Sequence, residues 1–149
     1  MSLDAILEAL EGPLRQAWPA LTVYTELPNS APKTPSALFW PAPGGQFPWP
    51  GDVVDELVHE FELRVLFSLA NAPASDKRAR QMIEPLRFAL SRSGTIGSLR
   101  DPATPPAWKV SKAGVTGYRY GHVAWAGVAY LGLTLMCKVA EVVVAGEVR

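Results

Sequence analysis

The sequence holds one cysteine and two histidines in 149 residues, and each scarcity closes off chemistry. A lone Cys137 forms no intrachain disulfide, which fits a reducing compartment. His59 and His122 lie far apart in the chain, so no metal-ligand spacing exists, and neither a metal nor a cofactor is expected. Walker-type loops, G-x-S-x-G elbows and G-x-G-x-x-G fingerprints are missing. "GVTGYRYG" (114–121) has the glycines of a phosphate loop, but no helix-capping signal follows it. The most apolar run, 123–137, is short and rich in Gly and Ala, so no membrane span is expected. The N-terminal "MSLDAILEALEG" has acidic residues and no basic n-region, unlike a signal peptide. No nucleophile, base and orienting group converge in the pattern, and no catalytic activity is expected. The enzyme alternative rests on His59 or His122 with a nearby carboxylate. His59 falls on the apolar parity of its segment, which reads first as a satisfied, half-buried histidine.

What is present is enough for one domain over residues 1–149, with 48% hydrophobic and 19% charged residues. Net charge is zero, yet the charges are segregated. Residues 1–63 hold nine acidic and two basic residues, whereas residues 64–119 hold ten basic and three acidic. Either folding mixes these into a neutral surface, or the molecule has an acidic side and a basic side that dock on copies of itself. The zero balance argues against sequence-specific DNA binding and leaves only weak backbone contact, as in a channel wall.

The periodicities predict an α+β domain with a mostly antiparallel sheet. Ser2 caps an N-terminal helix whose Leu3, Ile6, Leu7, Leu10 and Leu14 share a face; it ends near Glu11, or kinks at Gly12–Pro13 and continues to Trp18, where Pro19 stops it. Residues 21–27 and 36–40 read as short strands. Residues 57–70 alternate apolar and polar and read as a half-buried strand of about 46 Å at ~3.3 Å per residue. That is too long for the domain, so one end projects as a strand or hairpin arm. Residues 71–94 form a second amphipathic helix, capped by Ser75, with Ala79, Met82, Ile83, Leu86 and Leu90 on one stripe, a kink at Pro85 and a stop at Gly94. Residues 95–121 read as a long loop or a hairpin turning at Ala113–Gly114. Residues 122–146 read as a strand covered on both faces, split or bent at Gly127 or Gly132, with a buried helix as the alternative.

The segment "FWPAPGGQFPWPG" (39–51), within a loop over 39–56, sets large aromatics among prolines and glycines. Trp40, Phe47 and Trp49 on such a loop are either interface anchors or a lid on the chain's own sheet. In the interface reading, the acidic Asp52, Asp55 and Glu56 face the basic Arg78, Arg80, Arg87, Lys109, Lys112 and Arg119 of the next copy.

The order of elements, together with "FELRVLFSLAN", "DKRARQMIEPLRFAL" and "GYRYGHVAWAGVAYLGLTLMCKV", resembles the tail terminator (tail-to-head joining) proteins of long-tailed bacteriophages. The resemblance covers nearly the whole chain and rests on pattern; the 39–51 segment and Pro85 are not carried by it. It implies a structural virion protein, assembled in the host cytoplasm, that forms a hexameric homo-oligomeric ring. Such a ring caps the tail tube protein, ends tail elongation and offers a surface to the head-tail connector or head-closure protein, with DNA passing non-specifically through its lumen. The alternatives are a head-closure or other neck protein of the same particle, a small protein-binding module, or an enzyme of unknown substrate.

Overall fold

The structure is a computed structural model, and it describes residues 3–41, 54–91 and 109–144. Two helices, α1 (Leu3–Ala17) and α2 (Ala72–Ala89), lie on one side of a five-stranded sheet. The strands are β1 (Thr22–Tyr24), β2 (Ser36–Pro41), β3 (Val54–Ser68), β4 (Lys109–Trp125) and β5 (Val128–Val144). Their spatial order is β1-β2-β3-β5-β4. β1 runs parallel to β2, and every other pairing is antiparallel. This is the expected α+β class.

The core lies between the helices and one face of the sheet. Ile6, Leu10 and Leu14 of α1 and Ala79, Met82, Leu86 and Ala89 of α2 meet Phe61, Leu63, Val65 and Phe67 of β3. Leu133, Leu135, Cys137 and Val139 of β5 complete it. These β3 and β5 residues are every second one in sequence, which is the strand period. α1 packs on β1 and α2, and α2 packs on β3 and β5. The core residues of β3 start at Phe61, so its first half runs past the core beside β5, paired from Val54↔Val144 onward.

Several boundaries differ from those expected. α1 continues through Pro13 to Ala17, the longer of its two expected extents, and α2 runs through Pro85 as expected but ends at Ala89 rather than near Gly94; buried stripes hold both helices. The α2 cap is Asn71, whose side chain accepts from Ala74 N–H at 3.4 Å. Ser75 instead donates its hydroxyl to the Ser68 carbonyl at 2.6 Å. Ser2 and Gly94 lie outside the described residues. The ends of the expected 39–56 loop are strand, in β2 and β3.

The largest correction concerns residues 109–125. They form one continuous strand with no turn at Ala113–Gly114. Ala113 and Val115 pack against the core while Gly114 pairs with Lys138, so the chain runs straight through. The hairpin closes instead at Ala126 (φ 50°) and Gly127 (φ 78°). Two residues at positive φ make the tight turn whose twist matches that of its strands. Residues 122–146 therefore hold the end of β4 and all of β5, split at Gly127 as one of the expected alternatives has it. β5 is central; β4 is an edge.

Candidate functional site

The sheet face away from the helices carries a ladder of charges. On β3, Glu60 meets Lys138 of β5 at 3.0 Å. Glu62 binds Arg64 at 2.9 Å and Arg119 of β4 at 3.0 Å. These groups are paired across the register Arg119↔Thr134 and Glu62↔Met136, which sets them on one face. Glu56, Glu60, Lys112 and Lys138 line a cleft of about 360 Å³ toward the projecting end of this face. Part of the sequence's charge segregation is thus closed inside the subunit: acidic β3 and basic β4 lie on either side of β5 and bond across it.

Trp40 sits at the other end of this face. Its ring meets Trp125 edge-on at 5.3 Å, and the Arg64 guanidinium lies over it at 4.2 Å. The Trp125 indole N–H donates to the Pro28 carbonyl at 3.0 Å. Beneath them, Leu38, Leu66 and Tyr130 form a small second cluster with Tyr24, Val123 and Trp125 packed on it. Trp40 therefore has partners within its own subunit.

The β4 edge is of a different character. Tyr118 and Tyr120 pair with Leu135 and Leu133, so they point to the helix side of the sheet, beyond the cover of α2. They are 53% and 40% exposed, and their rings pack edge-on at 5.8 Å. Phe88, on the facing side of α2, is 64% exposed. Glu84, Arg87, Phe88, Ala113 and Val115 line a groove of about 360 Å³ between the two elements. Partial burial, helped by Tyr118 and Asp76, raises the Tyr120 phenol's pKa, while Arg80 opposes the rise. Arg78, Arg80 and Arg87 all project to solvent from α2. Arg80 bonds Asp76 at 3.2 Å and Arg87 bonds Glu84 at 3.4 Å.

His59 is bonded through Nε2 to Glu141 Oε2 at 2.9 Å. Its side chain is 12% exposed and that of Glu141 0%, at the edge of the core. A carboxylate so placed fixes the ring's tautomer and orientation. Glu141 went unnoticed in the sequence, although its parity with Val139, Cys137 and Leu135 marks a carboxylate on the core side of an apolar strand. Cys137 is no nucleophile: burial pushes its thiol up to about 12, so it stays protonated. His122 is exposed near the hairpin and distant in register from this pair. Among the described residues, no three His, Cys, Asp or Glu side chains group to hold a metal.

Of the expected interface residues, Arg80 and Arg87 share one side of α2 and Arg78 stands on another. Lys112 and Arg119 lie on the charged face of β4, with Glu56 across β5. Asp55 and Lys109 are placed by backbone register only, against Val143 and Val142. Phe47, Trp49 and Asp52 lie outside the described residues. No described helix is long and apolar enough to cross a membrane. No protein-family model matches the chain, and no curated protein aligns with it significantly.

Proposed function

We propose that this chain is a ring-forming structural subunit of a long-tailed phage particle: a tail terminator that caps the tail tube, ends its elongation and presents a surface to the head connector. The observation that supports it best is the inequality of the two sheet edges. One edge is the three-residue β1 beside α1; the other is the seventeen-residue β4, beside an open groove lined by Phe88 and with Tyr118 and Tyr120 exposed along it. Two unlike edges are what a head-to-tail contact joins, and such contacts make a ring where the rotation between copies closes. The resemblance in element order adds the particular ring, six copies on a tube in the virion. The charged face is suited to polar, wet contacts with a tube, connector or passing DNA.

The test is an assembly reaction. Tail-tube protein polymerised with this chain present should give tubes of limited length bearing a ring at one end by electron microscopy. Tubes of unchanged length with bare ends would contradict the reading.

A further inference from the structure

The wet-face carboxylates Glu60 and Glu62 are occupied inside the subunit. A more open acidic surface lies on α1. Asp4, Glu8 and Glu11 are spaced to share one helical face; Asp4 and Glu8 are exposed, and Glu11 holds Arg15 at 2.7 Å. α1 packs on β1, at the far edge of the sheet from β4.

The opposite edge is basic. α2 carries Lys77, Arg78, Arg80 and Arg87 against Asp76 and Glu84, and β4 carries Lys109, Lys112 and Arg119 with no acidic residue, Lys112 and Arg119 standing on the sheet face away from α2 and Arg119 bonded to Glu62. Lys77, Arg78 and Lys112 make no ion pair with the described residues. The edge also shows Phe88, Tyr118 and Tyr120 to solvent.

Two features argue against this edge taking another strand. Register shifts at Val110/Lys112 and Val115/Gly117 break the ladder's continuity, as bulges on guarded edges do. Two copies of β4 side by side would also bring like charges together. Side chains, not backbone, are what this edge offers.

We propose that the α2–β4 edge docks α1 of a second copy of the chain, head to tail. Phe88, Tyr118 and Tyr120 form its apolar centre, and Arg80 and Arg87, whose own pairs with Asp76 and Glu84 are open to solvent and exchangeable, meet the partner's Asp4 and Glu8. The idea deepens the ring reading above by assigning its contact surfaces, and it rests on that reading for closure. Charge across such an edge sets register and association rate; the aromatic centre holds the complex.

A charge swap tests it, read by light scattering and sedimentation with thermal unfolding followed alongside. Asp4→Lys/Glu8→Lys and Arg80→Glu/Arg87→Glu should each weaken self-association about tenfold or more, as like-charge contacts do. Mixed in equal amounts, the two variants should associate again, because each supplies the surface the other has lost. Phe88→Ser should weaken association with the unfolding transition unchanged, since the side chain is exposed. Reversals without effect, a mixture that stays dissociated, or a wild-type chain monomeric at every concentration would overturn the proposal. A wild-type ring indifferent to the swap overturns only these surfaces and leaves the ring reading standing. Swap-sensitive assembly that fails to cap tubes does the reverse.

Discussion

At the scale of single residues, the His59–Glu141 pair is a stability element. His59→Leu keeps the shape and removes the bond, leaving a buried carboxylate short of a donor; a loss of about 1–3 kcal/mol follows. Urea unfolding reads it, and an unchanged midpoint would contradict the role. Gly132 is required for a different reason. A Cβ there would stand 2.7 Å from Val123 Cγ2 and 3.1 Å from the Gly121 carbonyl oxygen. Gly132→Ala should cost about 1–3 kcal/mol through overpacking. Gly114→Ala meets nothing within 4 Å and should be near neutral in the same measurement. Cys137 gives a pH signature. Its thiol is raised in the folded state, so folding favours the protonated form. The native state then keeps this contribution below the ordinary thiol range and loses it as pH climbs toward about 12. Alkylation at pH 8 should be slow in the native protein and fast in urea; equal rates would show an open thiol.

At the scale of elements, α2 separates packing from docking. Leu86 is fully buried in the core, and Leu86→Ala should cost about 2–5 kcal/mol. Phe88, two residues on, points to solvent, and Phe88→Ser should change the unfolding midpoint by less than about 0.5 kcal/mol. Equal losses at both sites would mean that α2 is seated differently on the sheet. Trp40→Ala removes the Trp125 and Arg64 contacts and so belongs with the stability variants as well as with the interface. β3 was legible because Phe61, Leu63, Val65 and Phe67 keep one parity against Glu60, Glu62 and Arg64. β4 was not, because a bulge reverses its parity: Val115 and Tyr118 both face the core side although three residues apart. The break at Gly127 was legible, but not its partner strand, because the turn itself is unusual. It is Ala-Gly rather than Asn-Gly, and Ala126 takes a positive φ that alanine rarely adopts. The candidate surfaces were half legible. That the cations of α2 lie off its apolar stripe follows from helical spacing, but only the fold reveals that Glu62 and Arg119, 57 positions apart in sequence, bond within one subunit at 3.0 Å.

At the scale of the whole molecule, zero net charge hides a direction: acidic α1 at one edge of the sheet, basic α2 and β4 at the other. Screening acts on such a dipolar encounter more than on a desolvated aromatic contact. Raising salt should slow self-association strongly and dissociate a finished assembly little, as read by stopped-flow light scattering and by sedimentation. Equal effects on both would mean that charge, not the Phe88–Tyr118–Tyr120 centre, holds the copies together. The most direct measurement is the mass and shape of what the chain forms on a tail tube, by native mass spectrometry of released caps and electron microscopy of the tubes. A head-to-tail subunit of a terminator gives closed rings of one size, six copies on the family resemblance, seated at the tube end. Monomers beside bare, unlimited tubes would contradict it.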